Sequence, residues 1–252
     1  SMRGDLASIG VYNGTFHPVS CDPNGTLDDG LVGYWKMDES SWNGTSGEVK
    51  DFSGYGIGGT AVSGANTILR TPAQTNNTRT GTFSDNTYVT LGNYQFDTLT
   101  NATMSLWFYY TGSFDTNRLL FNRHINGAAD SRQPIFVSYP GGYSNKLVFE
   151  NIVNGSNRSV VSDNAISPNT WYHAVFVCGS VGMRMYLNGV QQVSTNSTTD
   201  CLVTISPTSA TTLGGGGGTS FAGQIDDLRV YNRALSPQEI SSLWSSGLGC
   251  LP

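Results

Sequence analysis

The chain has 252 residues, of which only 12% are charged, and its formal net charge is −5. An acidic chain without a cluster of Lys or Arg is unsuited to nucleic acid, and no apolar run approaches the roughly 18 residues of a membrane-spanning helix. The 31 glycines and the aromatic content of 11% are typical of an extracellular all-β protein with many polar turns.

The first residues predict an appendage to one large domain. Ser1-Met2 has the form of a cloning scar. Residues 3–29 are polar and rich in glycine, and we interpret them as an N-terminal arm held by Cys21. We assign residues 30–252 to the domain itself, because no linker or internal repeat divides them.

Apolar runs bounded by turn residues predict strands along most of this domain. Asn188-Gly189 between two alternating runs predicts a tight hairpin. The clearest runs are Leu31–Met37, Tyr88–Leu91, Met104–Tyr110, Trp171–Cys178, Met183–Val193 and Phe221–Tyr231. Roughly a dozen strands, spaced by about 8–12 residues, predict an all-β fold: a two-sheet antiparallel β-sandwich of the jelly-roll type.

One short helix is predicted after the last strand. Ser236 suits the N-cap, Pro237 suits the first helical position, and Glu239 lies where a capping box needs it. Apolar residues then recur on one face and a glycine ends the pattern, at Ile240, Leu243, Trp244 and Gly247.

Two adjacent carboxylates, Asp226 and Asp227, lie inside the last strand. Successive strand side chains point to opposite faces, so strict alternation puts Asp226 on the face of Leu228 and Val230. A carboxylate beside core positions needs a cation, an arginine or backbone amides as a partner. The sequence therefore singles out Asp226 and leaves its partner open.

The four cysteines fit no metal-ligand spacing. An even number in a polar, Gly-rich chain predicts two disulfides, with four buried thiols as the alternative. We favour Cys178–Cys201, which brackets a hairpin, and Cys21–Cys250, which would join the two ends of the chain.

Seven segments carry a resemblance to a known family. They read GLVGYWKMDE at 30–39, DFSGYGIGG at 51–59, YVTLG at 88–92, MSLWFYY at 104–110, WYHAVFV at 171–177, MRMYLNGV at 183–190 and FAGQIDDLRVYNRALSPQEI at 221–240. They resemble the bacterial laminin-G-like jelly-roll domains of the concanavalin A-like lectin/glucanase superfamily, over about residues 30–247. The resemblance implies two curved sheets and a module that binds carbohydrate or protein.

The resemblance also implies a structural calcium ion at the rim of the sandwich. Its ligands would be the carboxylates of Asp51 and Asp226, with backbone carbonyls around Ser53 and Gly56. Ca²⁺ takes six to eight oxygen ligands, and Gly-rich loops let carbonyls converge. The alternative is that Asp226 accepts hydrogen bonds from backbone amides of the 51–59 loop without a metal.

Catalysis is not expected from this sequence. Retaining glycoside hydrolysis needs two carboxyl groups about 5 Å apart, and glucanases of the superfamily place them at alternate positions of one strand. Glu150 stands alone on its strand, and the adjacent Asp226 and Asp227 point to opposite faces.

Sugar binding requires flat aromatic rings beside polar groups that orient hydroxyls. Tyr139 and Tyr143 flank a tight turn, and Trp42 and Tyr55 lie in loops near the expected calcium site. These four are the candidate ligand-binding residues, with covering the edge of the sandwich as the alternative role. We predict an extracellular or cell-surface module, part of a larger chain or assembly, that binds a glycan or a surface protein. The alternatives are the globular head of a surface fibre or pilin-like subunit and, third, a glycoside hydrolase.

Overall fold

The computed structural model describes residues 11–12, 15–16, 25–70, 79–92, 98–124, 134–138, 142–153, 156–199, 201–203, 210–215 and 220–247. Cys21, Tyr139 and Cys250 lie outside the described residues. The elements, in chain order, are β1 (Val11–Tyr12), β2 (Thr15–Phe16), β3 (Leu31–Trp35), β4 (Thr60–Val62), β5 (Asn66–Leu69), β6 (Arg79–Phe83), β7 (Tyr88–Leu91), β8 (Thr98–Leu99), β9 (Ala102–Tyr110), β10 (Arg118–His124), β11 (Ile135–Val137), β12 (Lys146–Val153), β13 (Ser156–Ala165), β14 (Trp171–Cys178), β15 (Met183–Leu187), β16 (Val190–Asn196), β17 (Leu202–Val203), β18 (Ala210–Leu213), β19 (Gly223–Tyr231) and α1 (Pro237–Gly247).

Two antiparallel sheets form the sandwich, which confirms the predicted fold class. The seven-stranded sheet has the order β13-β12-β11-β10-β18-β7-β4. The eight-stranded sheet has the order β16-β15-β14-β9-β19-β6-β5, and β3 also pairs with β19. Residues 223–225 of β19 pair with β6, and residues 228–231 pair with β3. One edge of β19 therefore pairs with two strands in succession, and Asp226 and Asp227 lie between the two paired stretches.

The core lies between the sheets and is built from the inward side chains of each strand. Met104, Leu106 and Phe108 alternate along β9, and each is at most 1% exposed. The ring of Phe149 on β12 lies 5.4 Å from the ring of Phe176 on β14, so aromatic contacts connect the two sheets.

Helix α1 covers part of the outer face of the eight-stranded sheet. Ile240 and Leu243 belong to a second apolar cluster that includes Val175 and Val177 of β14 and Tyr231 of β19. This amphipathic packing stabilises a helix that is too short to be stable alone. Among the described residues, no helix has the length and apolar character needed to cross a bilayer.

The predicted capping box at the start of α1 is confirmed. The amide of Glu239 donates to Ser236 Oγ at 3.3 Å, and the amide of Ser236 donates to Glu239 Oε2 at 2.8 Å. Arg233 adds an ion pair at 2.7 Å. Burial alone would raise the pKa of Glu239, but the bonds from Arg233 and Ser236 outweigh it and lower that pKa to about 2.

Side chains join the edge strands β13 and β16 on one side of the sandwich. Ser194 Oγ accepts from the amide of Val161, and Gln192 Oε1 accepts from the amide of Asp163. In return, Asp163 Oδ1 accepts from the amide of Val193 at 2.9 Å. These bonds satisfy backbone groups at the two edges, which limits pairing with other chains.

The Cys178–Cys201 disulfide is confirmed, with the two Cα atoms 5.1 Å apart. It joins the end of β14 to the residue before β17. Asn151 Nδ2 donates to the carbonyl of Cys201 at 3.2 Å, so β12 also holds this segment.

Candidate functional site

The last strand breaks its alternation at the two aspartates. The register of β19 against β9 shifts between Asp226 and Arg229, and Asp227 has φ 49°. An extra residue in a bulge moves the later side chains of the strand to the opposite face. Ile225 and Leu228 both belong to the core, whereas Asp226 does not. The expectation that Asp226 shares the face of Leu228 is therefore corrected.

Arg70 is the partner of Asp226. Its Nη1 lies 2.9 Å from Asp226 Oδ2, and neither side chain is more than 1% exposed. The guanidinium carbon lies 4.0 Å from the ring centroid of Trp171 and 5.4 Å from that of Trp107. Burial lowers the pKa of Arg70, although Asp226 opposes this shift. The sequence contained no signal that joined Arg70 to a strand 156 residues away.

Asp227 lies in a separate network with Tyr34 and Arg229. The Tyr34 hydroxyl donates to Asp227 Oδ1 at 2.8 Å, and Arg229 Nη2 donates to that hydroxyl at 2.7 Å. Arg229 Nη2 also lies 3.5 Å from Asp227 Oδ1. Burial alone would lower the pKa of Arg229, but Asp227, Tyr34 and Tyr231 together outweigh burial and raise that pKa. Each aspartate of the bulge therefore has its own arginine.

Asp51 organises its own loop. Its Oδ1 accepts from the amides of Tyr34 and Ser53, and its Oδ2 accepts from Ser53 Oγ and the amide of Ile57, all at 2.8 to 3.0 Å. Partial burial raises the pKa of the Asp51 carboxyl, but these hydrogen bonds outweigh burial and lower it below the ordinary value.

The predicted calcium ligands already have protein partners. Both oxygens of Asp51 accept hydrogen bonds, and Asp226 accepts from Arg70 and from the amide of Asp227 at 3.0 Å. Within the described ranges, no three His, Cys, Asp or Glu side chains converge as a metal site. The donor set therefore does not fit Ca²⁺ unless these bonds break, and the calcium ion that the resemblance implies stays untested.

Two of the predicted aromatic residues have different environments. Trp42 is 4% exposed and packs in the core, with its Nε1 donating to Glu39 Oε2 at 3.0 Å. This burial argues against the predicted ligand contact of Trp42. Tyr55 is 52% exposed, and Phe52, three residues earlier in the same loop, is 48% exposed. The Lys36 ammonium lies 4.5 Å from the ring centroid of Phe52, so it occupies that part of the surface.

Tyr143 lies at the outer face of the seven-stranded sheet. Leu147 and Phe149 of β12 belong to the core, whereas the alternate residues Val148, Glu150 and Ile152 do not and therefore face outward. Tyr143 is in the turn before β12, is 37% exposed, and its hydroxyl lies 3.4 Å from Ser159 Oγ on β13.

Polar side chains lie beside Tyr143 on this face. Glu150 and Ser159 are directly opposite each other in the β12–β13 ladder, and Asn157 faces Ile152 two residues along. Asn157 Nδ2 donates to Glu150 Oε1 at 3.0 Å. We call Tyr143, Glu150, Asn157 and Ser159 the outer-face cluster. It combines one exposed ring with hydroxyl, amide and carboxylate groups, which is the chemistry that orients sugar hydroxyls.

Only Tyr143 of the outer-face cluster is predicted from the sequence as a ligand-binding residue. Asn157 and Ser159 alternate along a run that reads only weakly as a strand. The signal that could have found them is their spacing of two residues, which puts both side chains on one face of a strand. Which residues of β12 they lie beside depends on the register of the two strands, which the sequence does not show.

Ser105 and His173 form a buried pair that resembles a nucleophile and its base. Ser105 Oγ lies 2.8 Å from His173 Nε2, and both residues are 0% exposed. Burial, with Arg229 nearby, lowers the pKa of His173 to about 3, so its imidazole is neutral. Because solvent does not reach either group, this pair supports the sheet rather than a reaction.

The fold is the β-sandwich of a known superfamily of lectins and glucanases. A family model described as concanavalin A-like lectin/glucanases superfamily matches residues 83–241, more than half of the chain. The chain belongs to this superfamily, and the resemblance found in the sequence is confirmed. A search of curated proteins finds no match.

Solved structures share the fold at low sequence identity. Domain 4 of AbnA, a GH43 extracellular arabinanase from Geobacillus stearothermophilus in complex with arabinotriose, is 17% identical with a TM-score of 0.65, and the match covers 84% of this chain and 97% of that structure. The binding domain of Paraclostridial Mosquitocidal Protein 1 is 19% identical with a TM-score of 0.65, covering 87% of this chain and 53% of that one.

A third structure is the ligand-binding domain of botulinum neurotoxin serotype D in complex with N-acetylneuraminic acid. It is 16% identical with a TM-score of 0.62, and the match covers 88% of this chain and 52% of that structure. The chain thus spans about half the length of the two toxin domains. At these identities the similarity shows the fold.

Proposed function

We propose that this chain is a non-catalytic, carbohydrate-binding module of an extracellular protein, and that the outer-face cluster contacts the sugar. The observation that carries the proposal is the convergence of Tyr143 with Glu150, Asn157 and Ser159 on β12 and β13. The ring supplies a stacking surface, and the polar groups supply the donors and acceptors that distinguish hydroxyl positions.

Three further facts support this function. Two of the similar structures were solved with a sugar, arabinotriose in one and N-acetylneuraminic acid in the other. The Cys178–Cys201 disulfide suits an oxidising, extracellular environment. Three of the four residues of the outer-face cluster, Glu150, Asn157 and Ser159, lie on regular strands, whose rigidity reduces the entropy lost on binding.

The outward residues around Glu150 support a binding role over hydrolysis. A retaining glycosidase needs a second carboxyl about 5 Å from the first. The outward neighbours of Glu150 on its own strand are Val148 and Ile152, and the residue opposite is Ser159. Asp226 and Asp227 belong to the other sheet and are paired with arginines. Catalysis would require a carboxylate pair that these positions do not supply.

A glycan array with the purified chain tests the function, followed by calorimetric titration of the best ligands. We expect Tyr143→Ala to weaken binding about fivefold to tenfold, because truncating an aromatic anchor in an interface costs about 1 kcal/mol or more. The melting temperature should stay close to that of the wild type, since Tyr143 is 37% exposed.

Tyr55→Ala is the matched control, because it removes an exposed tyrosine, 52% against 37% for Tyr143, from the separate 51–59 loop. Its affinity should equal that of the wild type. Loss of binding in Tyr55→Ala with full binding in Tyr143→Ala would move the site to the 51–59 loop. A chain that binds no glycan on the array would contradict the proposed function.

A further inference from the structure

Glu150 is a nearly buried carboxylate that makes no ion pair with a described residue. It is 9% exposed, and its outward neighbours are Val148, Ile152 and Ser159. On the side of β11 its amide donates to the carbonyl of Pro134 at 3.0 Å. No described Lys or Arg forms an ion pair with Glu150. Its charge is therefore not compensated by the residues that the structure describes.

The hydrogen bonds of Glu150 leave one oxygen for a ligand. Asn157 Nδ2 donates to Oε1 at 3.0 Å, and no donor among the described residues reaches Oε2. A sugar hydroxyl can donate to Oε2 and accept from the Ser159 or Tyr143 hydroxyl beside it. An ionised carboxylate or sulfate has no such proton, and it would add a second negative charge to a poorly solvated site.

We infer that Glu150 is a specificity residue that makes the outer-face cluster select neutral glycans and reject acidic ones. The inference rests on the proposed function and narrows its ligand class. The net charge of the chain, −5, also disfavours the binding of an acidic ligand. Glu150 acts at contact distance, so its effect should be separable from that general repulsion by mutation and by salt.

The test uses matched oligosaccharides of galactose and galacturonic acid, and of glucose and glucuronic acid, titrated calorimetrically. We expect the wild type to bind the acidic member of each pair at least about tenfold more weakly, because juxtaposed like charges penalise the wrong partner. Glu150→Gln should reduce this difference to about threefold or less. Its affinity for the neutral members should fall about threefold to tenfold, because Gln keeps one accepting oxygen where Glu has two, so Asn157 and the sugar hydroxyl compete for it.

Asp85→Asn is the matched charge control. Asp85 is 82% exposed and precedes β7, four strands from β12, so it lies about 20 Å away, beyond the screening length at physiological salt. Asp85→Asn should keep the full difference in affinity between neutral and acidic oligosaccharides. If Asp85→Asn and Glu150→Gln reduced this difference equally, the rejection of acidic glycans would come from the general charge of the chain, which would overturn the role of Glu150.

The remaining outcomes are also decisive. A wild type that binds acidic and neutral members equally, or acidic members more tightly, overturns the inference and leaves the proposed function standing. Binding to neither class, together with an empty glycan array, overturns the proposed function and this inference with it. Thermal unfolding of each variant, compared with the wild type, shows that the changes in affinity come from folded protein.

Discussion

Arg70 and Asp226 form an ion pair, 2.9 Å between Nη1 and Oδ2, that is buried on the outer face of the eight-stranded sheet. Arg70 directly follows the strand β5 at the sheet edge, and Asp226 lies in the bulge of the central strand β19. The pair therefore connects two strands that β6 separates in the sheet. Its surroundings include the rings of Trp107 and Trp171.

Asp226→Asn should destabilise the protein by about 3–5 kcal/mol, because it leaves the guanidinium of Arg70 buried without a counter-charge. Urea unfolding followed by tryptophan fluorescence measures this loss. Asp85→Asn is the control, since it removes an exposed ion pair with Arg118 that should contribute only about 0–1 kcal/mol. Equal stability of the two variants would show that the buried pair contributes nothing.

Replacing both partners tests the cause of that loss. Arg70→Met combined with Asp226→Leu should be more stable than Asp226→Asn alone, because apolar side chains of similar size remove the buried charge altogether. Arg70 Nε and Nη2 have no hydrogen-bond partner among the described residues, so few bonds are lost with them. A double variant less stable than Asp226→Asn would assign the effect to packing around the tryptophans.

The calcium site that the family resemblance implies needs its own measurement. We expect Ca²⁺ and a chelator to give the same melting temperature, because the oxygens of Asp51 and Asp226 already accept protein hydrogen bonds. An ion that binds only the native state would raise the melting temperature as its concentration increases. Such a rise in the wild type that is absent in Asp51→Asn would establish the site and contradict our expectation.

Local signals in the sequence predicted much of the fold. The capping box at Ser236 and Glu239 forms as expected, because both groups belong to one turn of one helix. Asn188 and Gly189 connect β15 to β16 and have φ 51° and 78°. A two-residue hairpin turn of this kind needs positive φ at both positions, which Asn and Gly adopt readily. The Cys178–Cys201 disulfide likewise brackets one hairpin. Each of these predictions depends on neighbours in the chain.

The features that the sequence did not reveal depend on distant contacts. The bulge at Asp227 arises where β6 and β3 share one edge of β19, which alternation within a single strand cannot show. The pairing with Arg70 depends on that bulge. The burial of Trp42 depends on how its loop packs against the core, and the outer-face cluster depends on the register of β12 and β13.

The disulfide should contribute measurably to stability. Cys178 and Cys201 are 23 residues apart in sequence. A cross-link that closes a loop of this length lowers the entropy of the unfolded chain, which raises its free energy by about 3 kcal/mol. Cys178→Ala with Cys201→Ala should lose stability of that order in urea unfolding. Adding a reductant should destabilise the wild type more than this double variant. Equal effects of the reductant on both proteins would show that this disulfide does not stabilise the fold.

His173 should make stability depend on pH. Burial lowers its pKa to about 3 in the folded state, against an ordinary value of 6.5. Between these values the unfolded chain binds a proton that the folded chain does not, so stability rises with pH across this window and is lost as pH falls. The loss between pH 7 and about pH 4.5 should be of the order of 2–3 kcal/mol.

His173→Gln should flatten that part of the pH profile, because glutamine can bond to Ser105 but does not titrate. Ser105→Ala is the matched control: it removes the same hydrogen bond and keeps the titrating ring buried, so its stability should be lower at every pH with the slope retained. Carboxylates such as Asp51 contribute equally to all three profiles and cancel in the comparison. The measurement is urea unfolding at a series of pH values, and a His173→Gln slope equal to that of the wild type would contradict the neutral, buried state of this histidine.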